Sequence, residues 1–400
     1  MFIHKNQLEY QLSSKHYQDA DFYQTELDRL FLPAWHLVCM KQDVANHGDF
    51  YTTEMFDRPI IIRNDNGELC AFLNVCSHRH CKLTNKDCGN MPQLKCQYHG
   101  WEYKPNGYTA KIPDARCFRP FDRENARLEK YRVETCGESL FICFDYTAPS
   151  LREFLGDFYD TWNQLFDIPR RHNWHWKQDF DCNWKIPLEN TVETYHVPCV
   201  HGKSLGIEYP SEEAQEHIMT PEFTELIYDV WDEPKLGRLQ QRAVKRLGGP
   251  DTGQYIHRHI HPHLVFTIND LVLHAQIYLP TSPTTGRTEI WNWTLEGSRK
   301  SVIGSILRPA LAWYFRHANQ RIQLQDKKVF GPCQEGVSST AYRGCLGNRE
   351  ERIYLFQRYV GEKCGVPTSK SMSLQEECDQ FKQQAHAPQV EEKVTEESAT

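Results

Sequence analysis

Two short runs, Cys76-Ser77-His78 and Cys96-Gln97-Tyr98-His99, each carry one thiol and one imidazole, with seventeen residues between them. Two thiolates and two imidazoles can hold a [2Fe–2S] cluster in which the cysteines bind one iron and the histidines the other. That arrangement raises the potential above that of an all-cysteine cluster. A tetrahedral zinc site uses the same ligand count. Zinc fingers, however, run Cys-Cys then His-His, whereas here each short loop supplies one of each. Cys76, His78, Cys96 and His99 are therefore the candidate cofactor ligands.

A second dense stretch, NWKIPLENTVETYHVPCVHGKSLG, spans residues 183–206. Glu193 and His196 are three apart and share a face if the segment is helical. His201 follows five residues later, and Pro198 between the two histidines predicts a distorted or terminated helix there. Two histidines and one carboxylate on one face, with open positions opposite, suit non-haem Fe(II) that must admit dioxygen. The carboxylate has to come from elsewhere. Asp326, in ANQRIQLQDKKVFGPCQEG, is the leading candidate, and spacing alone leaves Asp270, Glu289 and Glu335 open. Asn190, one and a half turns before His196, is a candidate for the open side of the metal. The run His257-Arg258-His259-Ile260-His261-Pro262-His263 invites a metal reading, because alternate strand residues share a face. A structural strand or loop near the substrate pocket is the simpler expectation.

These residues need two frameworks. The chain has 400 residues, which suggests two domains. Before them, Phe22, Leu27, Leu30 and Phe31 recur at helical spacing up to Pro33, so residues 1–34 form a helical lead-in. Residues 35–148 alternate short strands with turns. Asp65-Asn66-Gly67, between Ile60–Arg63 and Leu69–Asn74, predicts a hairpin, Asn106-Gly107 another turn, and Ser139–Phe144 a buried strand. Residues 149–368 open with a helical segment at 151–166. They continue with strands around Leu264–Phe266, Val272–Leu279 and Glu289–Leu295, and with helices at Ile303–Tyr314 and Glu350–Arg358. Residues 369–400 are acidic and polar, which predicts a poorly ordered tail.

Bulk numbers exclude several classes. The net charge of −7 gives no basic groove for nucleic acid. No apolar run is long enough to cross a bilayer, and MFIHKNQLEYQ carries no apolar signal core. Fifteen cysteines spread over this length do not form a secreted disulfide scaffold, and they fit a reducing cytoplasm. Ten Trp, nineteen Tyr and twenty Phe can fill a large core.

Both motifs together resemble the terminal oxygenase α subunits of Rieske non-haem iron oxygenases, the aromatic-ring-hydroxylating type, over residues 15–365. The cluster motif matches at Cys76, His78, Cys96 and His99, and His99-Gly100-Trp101 is similar to the family's second loop. The iron motif matches at Asn190, Glu193, His196 and His201. The family's later carboxylate matches Asp326, followed by Gln334-Glu335-Gly336. Two features depart from the usual pattern: His80 replaces a glycine, and Glu193 replaces the commoner aspartate. Cys81 stands where respiratory-type proteins have a disulfide cysteine, but the partner position holds Tyr98, which points to the oxygenase type.

The resemblance implies an α+β fold: an N-terminal antiparallel β domain for the Rieske cluster and a helix-grip catalytic domain, a curved antiparallel sheet with helices. It implies a mononuclear Fe(II) at His196, His201 and Asp326. It gives Glu193 a bridging role, between His196 and a cluster histidine of a neighbouring subunit in a head-to-tail trimer. It implies that Tyr98 and Trp101 shield the cluster and bond near its sulfurs. Electrons would come from NAD(P)H through a reductase, with or without a ferredoxin, since the chain has no flavin or dinucleotide fingerprint. The expected outcome is mono- or cis-dihydroxylation of an aromatic or related small substrate by a homotrimer, alone or with a β subunit. Action on an N-methyl or quaternary ammonium compound, or oxidative demethylation, is the alternative within the family. A Rieske electron carrier without oxygenase activity is the alternative outside it.

Overall fold

The computed structural model describes residues 2–4, 6–122, 124–202, 214–230, 236–342, 344–367 and 372–385. Two seven-stranded antiparallel sheets carry the architecture, and a three-stranded sheet sits beside the first. In the lead-in, Asp19 caps the helix Ala20–Glu26 by accepting from Phe22 N, and a π-helical turn, Leu27–Phe31, follows.

The first sheet runs, edge to edge, Trp35–Met40, Ser139–Cys143, Lys130–Cys136, Glu68–Leu73, Arg58–Asp65, Asp49–Met55 and Cys88–Asn90. The hairpin at Asn66-Gly67 forms because both residues take positive φ, 54° and 94°, which matches the twist of the paired strands. Two loops project from this framework. One joins Val75 to Lys82, themselves an isolated bridge. The other joins two strands of the small sheet, Leu94–Lys95 and Glu102–Tyr103.

After Cys143 the expected helical segment divides into Leu151–Leu155 and Phe158–Gln164, broken at Gly156 with φ 58°. The second sheet runs Arg170–Phe180, Thr285–Leu295, Val272–Ser282, Leu264–Ile268, Gln254–Ile260, Phe223–Asp229 and Glu216–Met219. One of its faces shares a core with the first sheet, where Trp35, Phe141, Trp162, Phe266, Trp291 and Trp293 are fully or almost fully buried. The opposite face is covered by a 38-residue helix, Val302–Ser339, and by Glu351–Cys364. The long helix passes through Pro309 and Pro332 and so extends far beyond the expected Ile303–Tyr314.

The tail expectation needs correction. Leu374–Ala385 is a helix, and Leu374, Cys378 and Phe381 are buried against Met219 and Leu355. Tyr354 and Arg358 bond the buried Glu377 on the same helix. An overall acidic composition hid one apolar stripe. The remainder, residues 386–400, lies outside the described residues.

Candidate functional site

The two projecting loops are built alike. In the first, Cys76 N donates to Cys81 O at 2.8 Å and His80 N donates to Cys76 O at 3.0 Å. In the second, Cys96 N donates to Trp101 O at 2.8 Å and Gly100 N to Cys96 O at 3.1 Å. The fifth residue of each loop takes left-handed backbone, φ 55° at His80 and 71° at Gly100. The histidine thus occupies a conformation that favours glycine, at a cost of about 1 kcal/mol. Its side chain is exposed.

These loops hold Cys76 and Cys96 buried and near one another, and they bring the His78 and His99 rings to 4.7 Å. Trp101 stacks on His78 at 4.8 Å with an interplanar angle of 2°, and Phe118 meets its edge. The buried Nδ1 of His78 has no protein hydrogen-bond partner. A buried ring nitrogen with no partner, a second imidazole beside its ring and two buried thiols close to one another are what a [2Fe–2S] centre would satisfy, so the residues fit the group. His99 is exposed, with Tyr98 against it at 3.6 Å.

The expectation for Tyr98 is corrected: it is 56% exposed, and the bond near sulfur comes from Tyr103 instead. The Tyr103 hydroxyl lies 3.0 Å from Cys76 Sγ and accepts from Ser77 N at 3.2 Å. Burial pushes its pKa up, so it remains a donor. Tyr103 stands on the strand Glu102–Tyr103, two residues after Trp101 and buried in the same cluster, a spacing that could have drawn attention to it.

The second centre lies where the segment after the helix Lys185–Thr191 meets the long helix. The expected Glu193–His196 helix is not formed. The helix stops at Thr191, both residues lie in the link, and a four-residue helix, Val197–Val200, begins after His196. Pro198 sits in its first turn, where a missing N–H costs nothing, so it starts this helix and does not end one. The link still joins the pair: Glu193 accepts from His196 Nδ1 and from the backbone N–H groups of Tyr195 and His196.

From the other side, the long helix buries Asp326 to 6% exposure and presents Gln325 beside it. His196 Nε2, His201 Nε2 and an Asp326 oxygen lie within 4.8 Å of one another, the single such group among the described residues. Asp326 Oδ1 is 2.9 Å from His201 Nε2 and 3.6 Å from His196 Nε2. Each ring has its other nitrogen engaged, His196 Nδ1 by Glu193 and His201 Nδ1 by Gln325 Oε1 at 2.9 Å. Those bonds set both tautomers so that the Nε2 lone pairs converge on the carboxylate, as outer partners of metal ligands do. Burial lowers the His201 pKa, but the Asp326 bond and charge outweigh it and raise the net value. The pocket favours positive charge, and its donor set fits a mononuclear iron.

The other carboxylates lie apart from this group. Asp270 accepts from Thr252 and Gly253, Glu289 pairs with His175 and Lys177, and Glu335 is exposed. Asn190 is half-buried in the last turn of the helix Lys185–Thr191. The histidine run is structural. His257 bonds Arg352, His259 the Pro262 carbonyl, His261 the Pro221 carbonyl and His263 the His36 ring, all buried with pKa values pushed down by desolvation. His175 stacks on Trp291 at 4.6 Å, and Trp174 stacks on Trp176. Gln325, which orients His201, was not singled out from the sequence. Its place beside Asp326 is a signal only once the carboxylate is known.

Comparison with known proteins finds a family for the region around each centre. Residues 34–132 match the Rieske [2Fe-2S] domain and residues 168–365 match the ring hydroxylating alpha subunit catalytic domain. The chain is 31% identical over 192 residues to the chlorobenzene dioxygenase subunit alpha of Cupriavidus sp. strain PS12, covering 45% of this chain and 42% of that protein. It is 32% identical over 210 residues to the large oxygenase component of the naphthalene 1,2-dioxygenase system of Pseudomonas aeruginosa, covering 48% and 45%. It is 30% identical over 221 residues to the N,N-dimethyl phenylurea N-demethylase subunit alpha of Sphingobium sp. strain YBL2, covering 52% and 48%. The matched part thus spans under half of each of these relatives. Among solved structures, a quaternary ammonium Rieske monooxygenase bound to L-carnitine superposes with TM-score 0.71 at 20% identity, covering 88% of this chain and 95% of that one. Naphthalene 1,2-dioxygenase with bound indole gives 0.69 at 20% identity, covering 90% and 95%. Two loops shaped for a Rieske cluster, a converging His-His-Asp group and both family matches lead to one conclusion: the chain belongs to the Rieske non-haem iron oxygenases, as an α subunit of the ring-hydroxylating type.

Proposed function

We propose that this chain is the terminal oxygenase component that inserts oxygen from O2 into an aromatic or related small organic substrate. NAD(P)H would supply the electrons through a reductase, with or without a ferredoxin. The observation that carries this reading is the convergence of His196 Nε2, His201 Nε2 and Asp326, with each ring's outer nitrogen tied down by Glu193 or Gln325.

When bound, the cluster supplies single electrons and the iron supplies dioxygen binding and activation. The chain's own residues do the rest. Cys76, His78, Cys96 and His99 would hold the cluster, and the exposed ring of His99 would be the ligand open to a partner. His196, His201 and Asp326 would hold the iron, three ligands that would leave positions for dioxygen and substrate, and Asn190, in the last turn of the helix before them, would border those positions. Glu193 fixes the His196 tautomer, and in a head-to-tail homotrimer it would also accept from a neighbour's cluster histidine. No described helix is long and apolar enough to cross a membrane, and a cytoplasmic setting is part of this proposal.

The N-demethylase relative supports a second reading, oxidative removal of an N-methyl group. A single turnover with reduced, iron-loaded protein separates the two: hydroxylated or diol product supports ring hydroxylation, and formaldehyde with demethylated product supports the second. Loaded protein that reduces no dioxygen with any substrate would overturn both.

A further inference from the structure

The catalytic sheet presents two different faces. Ala275, Ile277, Trp291 and Trp293 point into the core shared with the first sheet. Side chains alternate along a strand, so the residues between them point toward the long helix. Phe180 and Tyr278 mark that side, packing in the same cluster as Phe330 of the helix. A layer between a sheet and a helix is ordinarily apolar, but this one is rich in amides.

Tyr278, Gln276 and His274 follow one another along Val272–Ser282. Asn292 lies opposite His274, and Gln178 opposite Thr288 on the strand beyond. Along Trp174–Phe180, Thr288–Thr294 and Val272–Tyr278 this face carries no Asp, Glu, Lys or Arg.

Several of these amides have unmet hydrogen bonds. Gln178 is 6% exposed and Asn292 fully buried, yet Gln178 Oε1 and Nε2 and Asn292 Oδ1 meet no protein partner. From the facing helix, Asn319 Oδ1 is buried and equally unpartnered. Asn319 precedes Asp326 by two turns on the same side of the helix, about 10 Å along its axis. Unpartnered buried amides carry their full desolvation cost. They come from three elements, two strands and the helix packed on them, and Tyr278 on the same sheet face lies close enough to Asp326 to feel its charge.

His274 adds a defined donor. Asn292 Nδ2 donates to its Nδ1 at 2.8 Å, which leaves the proton on Nε2. Burial pushes the His274 pKa down to about 4, so the ring is neutral. Tyr278, by contrast, is occupied, bonded to Gln276 Oε1 at 2.7 Å and Thr191 Oγ1 at 2.5 Å.

We propose that this layer is the substrate-recognition surface and that it selects an uncharged organic molecule of the amide or urea type, whose polar group both donates and accepts hydrogen bonds. The inference rests on the oxygenase reading above and gives it a substrate class. An unsubstituted hydrocarbon would leave the Gln178, Asn292 and Asn319 amides unsatisfied. A carboxylate or ammonium group would be desolvated with no opposite charge on this face of those three strands.

The test is calorimetric titration of holoprotein, with cluster and iron loaded, against phenylurea, benzamide, toluene, benzoate and phenyltrimethylammonium. Phenylurea or benzamide is expected to bind at least tenfold more tightly than the other three. Gln178→Leu and Asn319→Leu lie on different elements, so failure of one to fold leaves the other. Each is expected to weaken amide binding about tenfold while leaving the melting temperature unchanged or higher, an outcome opposite to that of a purely structural role. Equal or tighter binding of toluene or either ion, no binding of any probe, or unchanged amide binding in both variants overturns the inference. The two readings fail differently. If loaded protein consumes dioxygen with toluene or benzoate, the oxygenase reading stands and only the substrate class falls. If the iron does not load at all, the oxygenase reading falls.

Discussion

Removing one oxygen atom beside the cluster tests the loop geometry directly. In Tyr103→Phe the ring remains in its buried position, but Cys76 Sγ loses a donor at 3.0 Å and Ser77 N loses its acceptor at 3.2 Å. A hydrogen bond to a charged group contributes about 1.5–3 kcal/mol. The reduced cluster carries one more negative charge and gains more from the bond than the oxidised cluster does. If that difference is about 1.4 kcal/mol, the one-electron potential falls by about 60 mV in the variant. A redox titration followed by the visible circular dichroism of the cluster measures this, with cluster content held equal between proteins. A potential unchanged within about 10 mV would refute the assignment of this hydroxyl to the cluster sulfur.

Four further outcomes are expected. Glu193→Ala should retain both metals, by metal analysis at saturating iron, but slow repeated turnover at least tenfold relative to a chemically reduced single turnover, because the proposed link from His196 to a neighbour's cluster histidine is lost; equal slowing of both would refute that link. His80→Gly should raise thermal stability by about 0.5–1 kcal/mol, since the left-handed φ of 55° is no longer strained; a lower melting temperature would contradict that. Phe381→Ala should cost about 3 kcal/mol in chemical denaturation, as an ordered terminal helix requires, and no loss would return that helix to the surface.

Glu189 gives a pH dependence. It is buried with bonds from Tyr17 and Gln357, and desolvation raises its pKa from 4.5 to about 7. A raised folded value means stability fully present below about pH 4.5 and lost as pH rises through 7, by at most about 3 kcal/mol. Glu189→Gln should flatten the stability curve between pH 5 and 8, measured by urea unfolding.

Local patterns made much of this protein legible from its sequence. Cys76, His78, Cys96 and His99 announce themselves by type and spacing, and Asn66-Gly67 marks its hairpin, because each signal is confined to a few neighbouring residues. Asp326 was different. It meets His196 and His201 only through tertiary folding, and resemblance to a family, not periodicity, singled it out. Glu193 and His196 suit a shared helical face by spacing but lie in a compact link, because i,i+3 spacing fits both, and the helix begins only after His196. Gln325, Tyr103 and the unpartnered amides of Gln178, Asn292 and Asn319 acquire meaning only from what faces them, which composition and spacing do not encode. The tail helix was hidden because Leu374, Cys378 and Phe381 are sparse among charged residues.

The most direct measurement of the central claim is electron paramagnetic resonance of chemically reduced protein with and without nitric oxide, for the wild type and Asp326→Ala. The account predicts a reduced Rieske signal in both proteins and a high-spin iron–nitrosyl signal in the wild type alone. A nitrosyl signal of equal intensity in Asp326→Ala would contradict the assignment of His196, His201 and Asp326 as the iron site.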